Sequence, residues 1–206
     1  MGWYTEQLLP RVVDKALGNE EITEWRRKAV VGLTGTVVEI GFGSGLNLPV
    51  YPSAVTKVLA VEPAGGGRRL AAERIAKSLI PVEHIGLDGQ SLPLGDASVD
   101  GALSTYTLCT VPDPRLAIRE IYRVLKPGGR FNFLEHGLSP DPKVARNQKR
   151  FEPIQKVVFG GCHLSRDIPS LVADAGFVID SQEARYVKGP KPVSWFTVGL
   201  AHKPLG

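Results

Sequence analysis

Short runs of apolar, mostly β-branched residues alternate along the chain with stretches in which apolar side chains recur every three or four positions. The runs predict strands, and the spaced pattern predicts amphipathic helices. The predicted strands cover residues 36–40, 57–61, 82–85, 101–105, 130–135, 177–181 and 193–201, and helices are predicted over residues 68–78, 114–125 and 169–175 and after Pro142. This alternation predicts an α/β fold of the Rossmann-like, doubly wound type, with a mostly parallel sheet and the last two strands in an antiparallel edge hairpin.

The first 35 residues carry helical patterns only. Apolar residues recur at positions 8, 9, 12, 13, 16 and 17, and a second short helix opens at Glu20 and closes at Lys28 with the charge order that suits the helix dipole. We therefore expect residues 1–35 to form an N-terminal helical lid on a domain that spans residues 36–206. Trp3 and Tyr4 are candidates to close a cavity under that lid.

Composition narrows the class of protein. Of the 206 residues 43% are hydrophobic, which is ordinary for a globular chain, and no apolar run approaches the ~20 residues that cross a bilayer. The N-terminus lacks the charged and then apolar order of a secretion signal, so we expect a cytoplasmic protein. Cys109 and Cys162 lie far apart, and no Cys or His pair has zinc-ligand spacing. We expect two plain thiols and no metal site.

The net charge of +4 is unevenly distributed. Residues 136–206 hold ten basic and six acidic side chains, whereas the rest of the chain is balanced. Six basic residues there surround a single acid, Glu152: Lys143, Arg146, Lys149, Arg150, Lys156 and Arg166. Such a cluster is typical of a solvated helix face, and it would also attract an anionic substrate, a membrane surface or nucleic acid.

The strongest chemical signal follows the first predicted strand. An apolar strand that contains Glu39 runs into three glycines at alternate positions, Gly41, Gly43 and Gly45. Glycine permits positive φ and leaves room for a ligand where a Cβ would collide. The third glycine of a dinucleotide-binding loop would fall at Leu46, and no phosphate-binding GxxxxGK[ST] loop is present. Cofactors bound chiefly through phosphate are therefore disfavoured.

Acidic residues follow the next two predicted strands. Glu62 ends the second strand, where an acid in doubly wound folds accepts the ribose hydroxyls of a nucleoside. Asp88 follows the third strand, where it could accept a hydrogen bond from an adenine amino group, with Gly89 beside it. Because the carboxyl ends of parallel strands share one edge of the sheet, both acids should lie beside the glycine loop.

Four ordered motifs resemble those of class I S-adenosylmethionine-dependent methyltransferases. They are VVEIGFGSG, the acid that ends the second strand, LDGQSLPLGDASVD and EIYRVLKPGG. More narrowly, GSGLNLPVYP, STYTLCTVPDP, FLEHG, GGCHLSRD and VSWFTVGLAHKP resemble the methyltransferase-like seven group, whose mammalian members are thiol S-methyltransferases. The likeness covers roughly residues 37–203, with Phe42 where that group commonly has cysteine and His163 where it has asparagine.

The resemblance implies a class I methyltransferase fold, S-adenosylmethionine as the cofactor and S-adenosylhomocysteine as the product. It also implies ten cofactor-binding positions. These are Glu39, Gly41, Gly43, Gly45 and Asn47 around the methionine part, Glu62 at the ribose, Asp88 and Gly89 at the adenine, and Ser104 and Thr105 facing the sulfonium and the acceptor. The chain is similar, less closely, to quinone-biosynthesis and phospholipid N-methyltransferases of the same fold.

Five residues are candidates for the acceptor side. His136 is the candidate catalytic base, with Glu135 to orient its imidazole, although a structural role in a turn is the alternative. Tyr106 would line the pocket, His163 would lie over its rim, and Arg166 would hold an anionic acceptor group or pair with a neighbouring acid. A base is optional for a thiol, whose pKa is near ~8.5, and more valuable for a phenol or an amine.

We therefore expect an enzyme that methylates a small molecule, with a thiol as the first candidate acceptor. The alternatives are a quinone or phospholipid acceptor with peripheral membrane contact, and a cofactor-binding regulator without turnover. No proline precedes Cys109, as it would in C5-pyrimidine methylation, and residues 104–107 lack the signature of enzymes that methylate nucleobase amines. No nucleic-acid partner is expected, and the sequence carries no signal for oligomeric state.

Overall fold

The computed structural model describes residues 7–205, and within them seven strands form one mixed sheet. The strands are β1 (Gly35–Ile40), β2 (Val55–Val61), β3 (Val82–Gly86), β4 (Val99–Thr105), β5 (Leu125–His136), β6 (Val178–Tyr186) and β7 (Trp195–His202). Their order is β3-β2-β1-β4-β5-β7-β6, with the first five parallel and β7 antiparallel to both β5 and β6. The predicted sheet and its antiparallel edge hairpin are confirmed.

The same part of the chain forms six α-helices. They are α1 (Leu9–Leu17), α2 (Glu20–Ala29), α3 (Gly65–Lys77), α4 (Pro114–Val124), α5 (Pro142–Val158) and α6 (Ile168–Asp174). The side chains of Asn19, Asp113 and Asp141 accept backbone N–H groups in the first turns of α2, α4 and α5. A proline in the first turn of α4 and of α5 adds a preset φ angle. Local sequence therefore decides where these helices begin.

Most strand ends lie within two residues of the predicted bounds, but two strands extend five residues past a predicted end. β5 begins at Leu125 instead of residue 130, because Leu125 already pairs with Val99 before the register shifts. β6 continues to Tyr186 instead of ending at residue 181, because β7 pairs with it along its length. Pairing between strands is a tertiary contact, which the local pattern does not report.

Helices cover both faces of the sheet. On one face Phe131 of β5 packs in a cluster with Ile118 of α4. On the other face Leu103 of β4 shares a cluster with Trp25 and Ala29 of α2, and neither α2 side chain has any exposed surface. Burial of this apolar area on both faces makes α2 part of the core.

The two N-terminal helices have different surroundings. α2 is packed into the core, whereas α1 has no buried residue and lies against α3, where Asp14 pairs with Arg74 at 2.8 Å. The helical lid stays a prediction, and it now concerns α1. Trp3 and Tyr4 lie outside the described residues.

The topology opens a crevice between β1 and β4. β1 lies between β2 and β4, so that the chain leaves β1 toward one edge of the sheet and later crosses to the other side. At such a switch point the connections after the two strands diverge, and ligands of doubly wound sheets bind beyond the carboxyl ends.

Candidate active site

A cavity of about 910 Å³ lies beyond the carboxyl ends of β1, β2, β3 and β4. It is lined by six of the ten predicted cofactor-binding residues: Gly41, Gly43, Glu62, Asp88, Gly89 and Thr105. The other four are buried behind its wall: Glu39, Gly45, Asn47 and Ser104. A shallower hollow of about 430 Å³ beside Asp96, Arg123 and Lys203 includes none of them. The fold thus gathers the predicted cofactor residues at one place.

The glycine loop after β1 has the backbone conformation that its sequence predicts. Gly41, Gly43 and Gly45 have φ angles of +72°, +56° and +76°, a region that side chains rarely adopt. A Cβ at Gly41 would also collide with the side chain of Thr107, and one at Gly67 would lie 3.1 Å from the Gly43 carbonyl oxygen. Close backbone approach therefore requires glycine at this end of the sheet.

The Glu62 carboxylate joins the glycine loop to α3. It is 7% exposed and accepts the backbone N–H of Gly43 at 2.7 Å through one oxygen and that of Ala64 at 2.8 Å through the other. These two donors orient the carboxylate in the cavity wall. A carboxylate has about four acceptor sites, so this orientation is compatible with further donors such as ribose hydroxyls.

Glu39 is completely buried at the end of β1. It accepts hydrogen bonds from Asn47 Nδ2 at 2.8 Å and from the Tyr51 hydroxyl at 2.6 Å. Burial raises the pKa of Glu39 to about 7, and the two hydrogen bonds and the nearby Arg26 guanidinium oppose that rise. Glu39 therefore fixes the position of Asn47 from behind the wall.

A buried arginine that the sequence reasoning missed belongs to this network. Arg26 Nη1 donates to Asn47 Oδ1 at 2.8 Å and to Thr105 Oγ1 at 3.0 Å, and the residue lines the cavity. Arg26 is 4% exposed, its Nε has no hydrogen-bond partner in the described part of the chain, and burial lowers its pKa. The signal that could have identified Arg26 is its helical spacing. It lies four residues after Ile22 and three before Ala29, which places it on the buried face of α2.

Asp88 and Gly89 lie at the far end of the cavity. Asp88 Oδ1 accepts the backbone N–H of Gln90 at 2.8 Å and its side-chain amide at 3.1 Å. Gly89 packs directly over Ile40, whose side chain a Cβ at this position would meet. The turn after β3 therefore brings a carboxylate to the rim, as the sequence predicts.

Glu135 does not orient His136, and that prediction was wrong. The fully buried carboxylate accepts the Ser104 hydroxyl at 2.8 Å and the backbone N–H groups of residues 107, 108 and 109 at 3.0 to 3.2 Å. Successive residues of a strand point to opposite faces, which separates Glu135 from the imidazole. Burial raises the pKa of Glu135, and these hydrogen bonds oppose the rise. Glu135 shapes the turn after β4.

Tyr106 lies at the start of that turn and lines the cavity. Its backbone has a left-handed φ of +56°, a conformation that costs a residue other than glycine about 1–3 kcal/mol and that recurs at active sites. The Arg26 guanidinium lies 5.3 Å from the centroid of its ring. The Tyr106 hydroxyl is buried without a hydrogen-bond partner among residues 7–205, and burial raises its pKa far above the usual range.

His136 lies behind Tyr106 and is not among the residues that line the cavity. Its ring packs edge to face against Tyr106 at 5.5 Å and Phe196 at 4.7 Å between centroids. Its Nδ1 lies 4.0 Å from Cys109 Sγ and 3.9 Å from Cys162 Sγ. The role of general base stays a prediction. The fold also brings together the two thiols, which are 53 positions apart in the sequence.

His163 and Arg166 have different positions. His163 lines the cavity, its Nδ1 lies 3.3 Å from the Glu152 carboxylate, and burial together with Arg166 lowers its pKa. The Arg166 guanidinium donates to the carbonyl oxygens of residues 108, 111 and 112 at 2.6 to 3.3 Å. Neither predicted role of Arg166 matches these contacts, because within residues 7–205 its side chain binds main-chain carbonyls instead of an acid and does not line the cavity. Arg166 braces the segment after β4.

Comparison with known proteins finds methyltransferases. A family model described as "Methyltransferase domain" matches residues 38–133. The thiol S-methyltransferase TMT1B of Rattus norvegicus is 33% identical over 172 residues, which are 80% of this chain and 67% of the rat protein. A demethylmenaquinone methyltransferase of Clavibacter sepedonicus is 30% identical over 135 residues, which are 64% of this chain and 54% of that protein.

The fold has relatives among solved structures. A SAM-dependent methyltransferase from Methanosarcina mazei superimposes with a TM-score of 0.67 at 22% identity, and the match covers 86% of this chain and 96% of that one. Likeness at this identity concerns the fold, whereas the rat relative shares a third of the aligned residues over most of both proteins. The chain therefore belongs to the class I S-adenosylmethionine-dependent methyltransferases, enzymes that take their methyl group from that cofactor.

Proposed function

We propose that this enzyme transfers the methyl group of S-adenosylmethionine to the sulfur of a small-molecule thiol. The observation that carries the proposal is one continuous cavity, in which the glycine loop and Glu62 share space with an apolar wall from α1 that includes Leu9, Pro10 and Val13. Its volume of about 910 Å³ is near the upper end of the ~300–1,000 Å³ usual for small-molecule sites, which favours an acceptor bound beside the cofactor. The name of the rat relative supports the thiol class.

The residues of the cavity fit the chemical groups of S-adenosylmethionine. Glu62, held by two backbone donors, suits the ribose hydroxyls, and Asp88 at the rim suits the adenine amino group. Around Gly41 and Gly43 the absence of side chains lets the cofactor approach the backbone. Two carboxylates near the proposed adenosine position and exposed backbone beside them therefore suit a nucleoside cofactor that carries no phosphate.

Arg26 suits the cofactor's methionine carboxylate. Its Nη1 is already held by Asn47 and Thr105, which fixes the plane of the guanidinium. Its Nε is a buried donor without a partner among the described residues, and a cation in such a place stabilises an anionic group through charge-assisted hydrogen bonds. Ser104 and Asn47 act on this end of the site by positioning their neighbours.

When bound, S-adenosylmethionine supplies a methyl group on a positively charged sulfur, and the carbon–sulfur bond breaks as the acceptor attacks the methyl carbon. The protein's part is to hold the acceptor close and to exclude water. A thiol with a pKa near ~8.5 is partly ionised at neutral pH, so no residue has to remove its proton. Two polar groups would orient an acceptor against the apolar wall from α1: the Tyr106 hydroxyl, which has no hydrogen-bond partner among residues 7–205, and the His163 ring.

An acceptor presented at a membrane surface, such as a quinol or a phospholipid amine, is the second candidate. The C-terminal half of α5 exposes Phe151, Ile154 and Val157 by 49%, 63% and 79%. Exposed basic side chains of the same helix lie at positions 143, 146, 149, 150 and 156. Apolar side chains flanked by basic ones favour docking on an anionic bilayer surface. No helix in the described part of the chain has the length and apolar character to span a bilayer.

Methyl transfer from labelled cofactor to a panel of small thiols, phenols, quinols and amines tests the proposal. Each acceptor is assayed with and without vesicles that contain anionic lipid. Turnover confined to thiols in the absence of vesicles supports the thiol assignment. Turnover of quinols or phospholipid amines, without turnover of thiols, would overturn the thiol assignment and support the second candidate. Tight cofactor binding without turnover of any acceptor would favour the regulator.

The role of His136 is tested in the same assay. His136→Asn is compared with His202→Asn, which changes a partly exposed histidine paired with Asp180 at the sheet edge. Thiol turnover with an unchanged pH–rate profile in both variants supports catalysis by proximity. Loss of one limb of the pH–rate profile in His136→Asn alone would instead make His136 the base.

A further inference from the structure

Two thiols and an imidazole meet behind the acceptor side of the cavity. Cys109 Sγ and Cys162 Sγ lie 3.7 Å apart, and His136 Nδ1 lies 4.0 Å from the first and 3.9 Å from the second. The three residues come from separate segments: the turn after β4, the end of β5 and the loop after α5. The proposed methyl transfer uses neither thiol.

The triangle of donor atoms has nearly the dimensions of one face of a tetrahedral zinc site. Zinc binds sulfur at about 2.3 Å and imidazole nitrogen at about 2.0–2.1 Å, which separates two sulfurs by about 3.8 Å and sulfur from nitrogen by about 3.6 Å. The sulfur–sulfur distance of 3.7 Å agrees with this geometry, and the two sulfur–nitrogen distances are slightly longer. A disulfide needs sulfurs about 2.05 Å apart, much closer than they are here.

Neighbouring groups hold the three donors in place. Cys109 is 1% exposed and Cys162 is 5% exposed. The Glu135 carboxylate accepts the backbone N–H of Cys109 at 3.2 Å, and Arg166 binds the carbonyls of residues 108 and 111 on either side of it. The His136 ring packs edge to face against Tyr106 and Phe196, which also contact each other. Outer partners of this kind orient the ligands in protein metal sites.

We propose that Cys109, His136 and Cys162 bind one zinc ion. Both cysteines bind as thiolates, each thiol releasing its proton to solvent, and His136 binds through Nδ1 of the neutral ring. Two sulfurs and one imidazole select zinc over magnesium or calcium, which prefer oxygen. Among the residues described, no fourth Cys, His, Asp or Glu joins the group. One coordination position is thus left to an external donor such as water, as in open zinc sites.

The ion would join the segments that form the acceptor side of the cavity. Thr110 follows one ligand in the chain, Gly161 and His163 flank another, and all three line the cavity. Zinc would therefore hold this wall together across the turn after β4, the end of β5 and the loop after α5. The inference does not depend on which acceptor the enzyme methylates.

Metal titration of the full chain under reducing conditions tests the proposal. The stripped protein is expected to bind one Zn²⁺ per chain and, with Co²⁺, to show thiolate-to-cobalt charge-transfer absorption and the bands of a four-coordinate ion. Cys162→Ser and His136→Asn should each weaken zinc binding by more than the roughly 10–100-fold that loss of an outer partner costs. His202→Asn is the matched control and should bind zinc as the wild type does.

Failure of the reduced wild type to bind more Zn²⁺ or Co²⁺ than a Cys109→Ala/Cys162→Ala variant would overturn the proposal, and so would unchanged binding in His136→Asn. Zn²⁺ should raise the melting temperature of the wild type and leave that of the double variant unchanged. If a cysteine variant does not fold, the cobalt spectrum of the wild type decides, because the chain holds two cysteines and charge transfer from thiolate requires them. Metal binding is measured without methyl donor or acceptor, so its failure and that of the proposed function are distinguishable.

Discussion

Arg26 Nη1 donates a hydrogen bond to Asn47 Oδ1 at 2.8 Å, and this bond helps to hold the buried guanidinium in the wall of the cavity. The amide of Asn47 donates in turn to Glu39 at 2.8 Å, so that one side chain links a guanidinium to a buried carboxyl group. A buried cation is costly unless its donors are satisfied. An anionic ligand group at the remaining donors of Arg26 would complete this arrangement.

Arg26→Met should weaken the binding of S-adenosylmethionine by about 10- to 150-fold, which corresponds to the ~1.5–3 kcal/mol of a hydrogen bond to a charged group. Methionine keeps most of the apolar stem, so the packing of α2 should be retained. Calorimetric titration measures the affinity. Arg27→Met changes a side chain of the same helix that is 47% exposed and should bind like the wild type. Equal affinities in the two variants would contradict a role for Arg26 in the site.

Glu62→Gln should weaken cofactor binding by roughly 10- to 100-fold, because the amide has one acceptor oxygen and turns an NH₂ group toward the backbone donors of Gly43 or Ala64. Adenosine should lose the same factor, since it contains the ribose. Arg26→Met should leave adenosine binding unchanged. Glu73→Gln on the exposed face of α3 is the control. Undiminished adenosine binding by Glu62→Gln would exclude the ribose assignment.

Glu39 should make the folded protein less stable as the pH rises toward neutrality. Burial raises its pKa from 4.5 to about 7, so the folded chain keeps a proton that the unfolded chain has released. The stabilising contribution is complete below about pH 4.5 and is lost as the pH rises through about 7. Urea unfolding at pH 5 and at pH 8 should therefore differ by up to about 3 kcal/mol from this group.

The variant Glu39→Gln isolates that contribution. Glutamine does not titrate, so the unfolding free energy of the variant should change less between the two pH values than that of the wild type. Glu183→Gln, an exposed change near the sheet edge, should keep the wild-type slope. Parallel pH profiles for the wild type and Glu39→Gln would show that Glu39 is ionised throughout.

Glu135→Gln should lower the free energy of unfolding by about 2–3 kcal/mol, because one carboxylate oxygen accepts three donors and the other accepts one. An amide cannot accept on both sides, which leaves buried backbone N–H groups without a partner. Urea unfolding with Glu183→Gln as the control measures the loss. If Glu135→Gln had wild-type stability and lost only its methyltransferase activity, the result would contradict a structural role and indicate that Glu135 takes part in the reaction.

Much of the site follows from local sequence. Glycines at positions 41, 43 and 45 predict left-handed backbone, and all three have it. Because β1, β2 and β3 run parallel in one sheet, with β2 between the other two, the acids Glu62 and Asp88 that follow β2 and β3 had to reach the same edge as the glycine loop. These features depend on the conformational preferences of single residues and on strand alternation, which a chain carries without its fold.

The sequence by itself determined the alternating strands and helices, the starts of α2, α4 and α5 and the glycine loop, because each depends on residues within a few positions of one another. The helix predicted from residue 68 begins three residues earlier, at Gly65. Only the tertiary structure decided the partners of Arg26, Glu135 and the two cysteines. Arg26 and Thr105 are separated by 79 positions, and Cys109 and Cys162 by 53. Contacts of this range depend on strand order, on register, on the packing of α2 against the sheet and on the path of the loop after α5 past the turn after β4. The burial that gives these side chains their chemistry therefore exists only once the sheet has assembled.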